Sequence, residues 1–171
     1  MKLIYTLLII LTFHTISLSQ TKPTKKDLVK LFKSSIYQPS KKSISVGLGA
    51  WTICNQDSAY FKADTIKLYN NINYFYQIST CCDFVNWTFY KKKAFIQSCS
   101  QICKEPASAN IKTDYYVVRI ISNNGNLLLQ VIDKRNSKTF KVLSLKEIKL
   151  EGNNSTTEIT LKRYSRYYSS L

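Results

Sequence analysis

The groups in this chain with chemistry to offer are five cysteines, Cys54, Cys81, Cys82, Cys99 and Cys103, and ten carboxylates scattered over 171 positions. The single histidine, His14, sits in an apolar N-terminal run and is lost if that run is cleaved. Histidine-based triads, Cys-His nucleophile pairs and His-ligated zinc or haem are then excluded. Cys81-Cys82 and Cys99-x-x-x-Cys103 bring four sulfurs close in sequence, but not at the spacing of paired C-x-x-C zinc knuckles, and a C-x-x-C redox pair is absent. No metal site is expected, and no cofactor: glycine stands only at 47, 49, 125 and 152, too sparse for a phosphate loop or a dinucleotide fingerprint. In an exported chain such cysteines pair with one another. Adjacent Cys81 and Cys82 would point to opposite faces of an extended segment. That predicts separate partners, drawn from Cys54 and the Cys99–Cys103 stretch, with the fifth sulfur left over.

The carboxylates form no paired motif. A glycosidase can take two acids from distant positions, so a carboxylate-based hydrolase remains the enzymatic alternative. Asp83 near Trp87 is the nearest approach to an acid beside an aromatic platform, and it reads equally well as a turn residue. The expectation is a non-catalytic protein.

These groups need elements to position them. Lys2, an apolar run from Leu3 to Phe13 broken by Thr6 and Thr12, and Ser17-Leu18-Ser19 predict a signal peptide over residues 1–19, cut after Ser19. The apolar run is shorter than the ~20 residues a membrane span needs. The mature protein is therefore expected in the periplasm or outside the cell. The chain beyond Ser19 has a length that suits one domain.

Lys and Arg number 25 against 10 Asp and Glu, a formal charge of +15, which favours anionic partners: an envelope or extracellular polymer, or a membrane surface. Clusters stand at Lys25-Lys26, Lys41-Lys42 and Lys91-Lys92-Lys93, and Arg163-Tyr164-Ser165-Arg166-Tyr167-Tyr168 interleaves cations with aromatics near the end. Lysine-rich strand faces also discourage edge-to-edge aggregation, which needs no partner. A nucleic-acid-binding module is not recognisable, and nothing in the sequence sets an oligomeric state.

Residues 20–42 hold a basic helix and linker. Leu28, Leu31, Phe32 and Ile36 share one face of a helix over Thr24–Tyr37, with Thr24 and Asp27 forming a capping-box variant and Pro39 ending it. From Ser43 to Tyr164 short β-branched and aromatic runs alternate with Asn, Gly and Ser turns. Strands are expected near 44–55, 60–69, 74–80, 84–92, 94–100, 115–122, 127–133, 140–150 and 158–164, with the longest loop over 101–112. The fold class is all-β: an antiparallel up-and-down meander of about eight strands that closes into a barrel, because closure removes exposed edges. Residues 165–171 form a C-terminal tail.

Gly47-Leu48-Gly49-Ala50-Trp51-Thr52-Ile53 places a Gly-x-Trp ahead of a meander of this length, and a late hairpin joins Tyr115–Ile121 to Leu127–Leu129 across Asn-Gly. Together with the last strand, Ile159–Arg163, this resembles the lipocalin family, especially the lipocalin-like domains of exported bacterial proteins. The resemblance implies that Gly49, Trp51 and Arg163 close the barrel, with Arg163 packed over the indole for roughly 0.5–2 kcal/mol. It also implies a cup for a small apolar or amphipathic ligand. Candidate lining residues are Phe75, Val85, Trp87, Phe89, Val117 and Leu129, each of which could equally be core packing in a barrel this small. The long N-terminal helix and the cysteine positions depart from the family.

Overall fold

Thr24 begins the first helix as its sequence suggests. In the computed structural model its hydroxyl oxygen accepts the Asp27 backbone N–H at 3.3 Å, while the Asp27 carboxylate accepts the Thr24 N–H at 2.9 Å, closing a capping box ahead of α1 (Lys25–Ser34). The described residues are 22–36, 49–77, 81–103, 108–134 and 136–164, so the expected leader and its cut, Lys41-Lys42 and the 165–171 tail lie outside them. Leu28 and Phe32 of α1 are fully buried. The Phe32 ring stacks on Phe89 at 4.3 Å and meets Trp51 edge-on at 5.8 Å, and the Trp51 indole N–H donates to the Ser35 hydroxyl at 3.1 Å.

Beyond α1 come β1 (Trp51–Cys54), a 3-10 turn (Gln56–Ser58) leading into α2 (Ala59–Lys62), β2 (Thr65–Tyr69) and α3 (Asn73–Gln77). The rest is strand: β3 (Asp83–Lys91), β4 (Ala94–Gln101), β5 (Ser108–Asn123), β6 (Asn126–Ile132), β7 (Ser137–Lys149) and β8 (Ser155–Arg163). All eight close into an antiparallel barrel, the expected fold class. From β3 to β8 each strand pairs with the next, as in a meander, and β8 closes on β2. The order differs at the start, where β1 lies between β2 and β3. Both partners run antiparallel to β1, so β2 and β3 are parallel to each other, and parallel strands need a crossover.

A helix within that crossover replaces the described part of the strand expected over 74–80. Residues 73–77 are helical within the crossover, and 78–80 lie outside the described residues. Tyr74 and Phe75 cover Tyr69, which faces outward from β2, with ring centroids 3.8 Å and 5.3 Å away. With Cys81 and Phe84 they make a second, smaller core outside the barrel wall. Two disulfides fasten this side, Cys54–Cys81 and Cys82–Cys103, so the adjacent cysteines take separate partners. Bridges spanning 27 and 21 residues are each worth about 3 kcal/mol through the unfolded chain. The Asn70 side-chain oxygen accepts from the Thr156 hydroxyl and the Thr157 N–H at 3.0 and 2.8 Å, tying the start of the crossover to β8.

Other boundaries shift too, β7 and β8 each starting three residues early. Tyr60–Lys62, expected to begin a strand, is α2 instead; β5 starts at Ser108, inside the expected loop, because Ser108 pairs with Gln101; and the described part of the first strand is only Trp51–Cys54. The Asn124-Gly125 turn has φ of 45° and 71°, the left-handed pair a two-residue hairpin needs. Val85, Trp87 and Phe89 face the interior as alternation predicts, yet Phe84, Asn86 and Thr88 on the other face are buried too. There a polar ladder crosses three strands: the Thr52 hydroxyl donates to Asn86 Oδ1 at 3.0 Å, and Asn86 Nδ2 donates to the Ser100 hydroxyl at 2.9 Å. Truncating Phe32→Ala removes the ring between Phe89 and Trp51 and is expected to cost about 3–5 kcal/mol in urea unfolding, against within about 0.5 kcal/mol for exposed Lys30→Ala.

Candidate functional site

The barrel interior is the first place a ligand would go, and its own side chains occupy it. Val85, Trp87, Phe89 and Leu129, four of the expected lining residues, all face inward at 0 % exposure, so no water-sized sphere reaches them. Trp87 stacks on Phe95 at 4.5 Å, Phe95 on Tyr116 at 5.2 Å, and Phe140 meets Trp87 at 6.4 Å. The Trp87 indole nitrogen is buried without an acceptor among the described residues. The other two expected lining residues lie elsewhere. Val117 is on the outer face and half exposed, because Tyr116, Val118 and Ile120 take the inward positions of β5; Phe75 sits in the small core outside the wall.

Each mouth carries a plug. At one, α1 brings Phe32 and Leu28 against the aromatic interior. At the other, α2 inserts Tyr60, whose hydroxyl donates to Gln97 Oε1 at 2.9 Å and whose ring meets Trp87 edge-on at 6.3 Å. Burial raises the Tyr60 phenol well above its ordinary pKa, so it stays a proton donor. Arg163 fastens this plug: its Nε donates to the Ala63 carbonyl at 2.8 Å and its Nη2 to the Tyr60 carbonyl, with the guanidinium 5.5 Å from the centre of the Phe140 ring.

The expected stacking of Arg163 over Trp51 is corrected by this geometry. Thr52 pairs with Tyr69 at one end of β2, while Lys162 pairs with Thr65 at the other, so Trp51 and Arg163 belong to opposite mouths. Trp51 closes its mouth with Phe32 and Ser35, and Gly49, at φ 68°, turns the chain into β1. Sequence reasoning missed Tyr60 and Gln97. The signal for Tyr60 was its place in a short Ala-Tyr-Phe-Lys run after Asn55-Gln56-Asp57-Ser58, a helix-entry composition.

The carboxylates are dispersed. Glu158 faces outward but is 4 % exposed; it accepts from the Tyr69 hydroxyl at 2.8 Å and the Thr160 hydroxyl at 3.0 Å, with Lys67 Nζ at 3.4 Å. Burial pushes its carboxyl up, and these donors outweigh that and hold it below its ordinary value. Tyr69 is driven the other way, by burial first and then by Tyr74 and Glu158. Asp83 is exposed at the start of β3 and shares an open cleft with Asn55, Asp57 and Ser100. Three of the four sulfurs considered for zinc are in disulfides, with Cys99 outside both, and the described residues hold no group of three or more metal-ligating side chains.

Exposed lysines stand over much of the barrel, Lys62, Lys67, Lys134, Lys138 and Lys146 among them, and one group of them gathers at a single end. Lys25, Lys26, Lys30 and Lys33 on α1 and Lys91, Lys92 and Lys93 at the β3–β4 tip are all exposed. They belong to one end of the barrel, because Phe32 stacks on Phe89 two residues before that tip. Lys22 joins them, its ammonium 3.6 Å from where a side chain at Gly125 would begin. The acid on α1, Asp27, is engaged by Thr24, whose hydrogen bonds lower its pKa. From Asn123, near this pole, a groove of about 430 Å³ runs over the outer face of β5, β6 and β7 toward Ser137 and Tyr164 at the other mouth, lined between them by Ile121, Leu128, Gln130 and Thr139.

No protein-family model, curated protein or solved structure matches the chain.

Because the folded pKa of Glu158 is lowered, its contribution to stability is complete above the ordinary glutamate value of 4.5 and is lost as pH falls through its own lower one. Glu158→Gln is expected to lose about 1–2 kcal/mol at neutral pH. In urea titrations from pH 7 downward, that deficit should stay constant to about the ordinary glutamate value and then shrink as pH falls through the lower folded pKa.

Proposed function

We propose that this is a non-catalytic binding protein acting outside the cytoplasm, in which the barrel is a rigid scaffold and the cationic pole engages an anionic polymer. The observation that carries this reading is the gathering of Lys22, the α1 lysines and Lys91–Lys93 at one end, with Asp27 held by its own cap. Like charges that close repel one another, and an anionic partner relieves that repulsion. The two disulfides favour an oxidising compartment, in keeping with the signal peptide expected over residues 1–19. The lipocalin resemblance supports a barrel scaffold. It lends less to an apolar cup, because Trp87, Phe89 and Phe95 already fill the interior.

Lysine ammoniums bind as point charges without the planar fork of arginine, so affinity should be strong at low salt and broad in specificity. With a Debye length of about 8 Å at physiological ionic strength, added salt screens such contacts directly. Binding of the mature protein to polygalacturonate and to polyphosphate, followed across a salt series, tests this, with anionic phospholipid vesicles as the contrasting surface. Affinity for both polymers should fall steeply with salt. Lys91→Gln, Lys92→Gln and Lys93→Gln combined should lower it at least about tenfold and flatten the salt dependence, whereas Lys62→Gln with Lys134→Gln, at the other mouth, should leave it within about twofold. Salt-insensitive binding, or binding to vesicles alone, would contradict the reading.

A further inference from the structure

We infer that the outer groove beside the pole is a subsite for one sugar ring of an acidic polysaccharide; this names the polymer class for the site proposed above and rests on that reading. A pyranose offers a face of C–H groups and a rim of hydroxyls. Recognising it takes an apolar or aromatic surface together with neutral hydrogen-bonding groups. The groove has both. Tyr164 and Ile121, 41 % and 42 % exposed, supply the surface, and Gln130, Asn123, Ser137 and Thr139 supply amides and hydroxyls.

These groups are held in place by the sheet. Gln130 Nε2 donates to the Ser137 hydroxyl at 3.2 Å, which orients the amide, and the Tyr164 backbone N–H donates to the Thr139 carbonyl at 2.8 Å, which anchors the Tyr164 backbone at the groove's edge. The volume, about 430 Å³, falls within the ordinary range for small-ligand sites.

Cations flank the groove. Arg119 pairs across the sheet with Gln130, and Lys141 pairs with Leu128 on one side and Lys162 on the other, so basic side chains stand on the same outer face at both edges. None of the lining residues is acidic. A ring bearing a carboxylate would seat its C–H face on Tyr164 and turn the carboxylate toward Arg119 or Lys141. The groove also meets the pole: Asn123 ends β5 just before the Asn124-Gly125 turn that Lys22 approaches. A polymer held at the pole can thus run over the hairpin into the groove. Polyphosphate has no C–H face and would gain nothing from Tyr164.

The probes are tri-galacturonate, polyphosphate and an oligothymidylate, titrated into the mature protein by calorimetry and by NMR. Tyr164→Ala and Gln130→Ala, both at positions open to the groove, should each weaken tri-galacturonate about tenfold while leaving polyphosphate within about twofold; Tyr164→Phe, which keeps the ring, should retain binding. The Lys91–Lys93 triple variant should weaken both anions. If the groove variants leave tri-galacturonate within twofold, the subsite is overturned and the pole reading stands. If oligothymidylate loses as much as tri-galacturonate, the groove takes bases and the saccharide assignment is overturned. If the wild type binds no polyanion in a salt-dependent way, the pole reading fails; NMR shifts from tri-galacturonate confined to the groove would then still support the subsite, and their absence would overturn it too.

Discussion

A closed barrel of eight strands encloses a volume that must be filled, and in this protein the indole of Trp87 fills its middle. The ring stacks on Phe95, meets Tyr60 and Phe140 edge-on, and belongs to one continuous buried cluster with Trp51, Phe89 and Phe32. Both plugging helices rest on that aromatic filling, α1 through Phe32 on Phe89 and α2 through Tyr60 on Trp87. It has an energetic cost, since the indole N–H lies without an acceptor among the described residues, a penalty of about 1–3 kcal/mol set against burial of several large rings.

The filled interior is closed at both ends. The chain covers both mouths with its own segments, α1 at one and α2 at the other, and Arg163 binds the second of these through two backbone carbonyls. In the lipocalin-like arrangement that the sequence resembles, a cationic side chain over an indole closes the base of a cup. Here the guanidinium lies over Phe140, and the indole of Trp51 is closed by a helix. Trp51 and Arg163 thus each help close a mouth, but at opposite ends of the barrel.

The outer wall is unevenly used. Around β1, β2 and β3 it is covered by the crossover, stapled by two disulfides and laced by buried polar groups, with Glu158 satisfied by Tyr69, Thr160 and Lys67. Around β5 to β8 it is open, with Tyr115, Val117, Ile121 and Tyr164 exposed among basic side chains. The barrel wall is thus cross-linked on one side and open on the other.

Much of this was legible in the residues. Thr24 and Asp27 marked the helix start, Asn-Gly marked the hairpin, alternation in Val85-Asn86-Trp87-Thr88-Phe89 set which face is inward, and adjacent cysteines implied separate bridges. These are local effects: a cap, a turn or a pleat depends on a few neighbouring residues. What tertiary structure alone decided was long-range. That β1 lies between β2 and β3, that Tyr74 and Phe75 form a helix over Tyr69, that Val117 faces out and Tyr60 in, and that Trp51 and Arg163 stand at opposite mouths all depend on strand pairing. Two apolar residues in a row, as at Val117-Val118, carry no parity until a partner strand sets the register, because each shift of one position exchanges the faces.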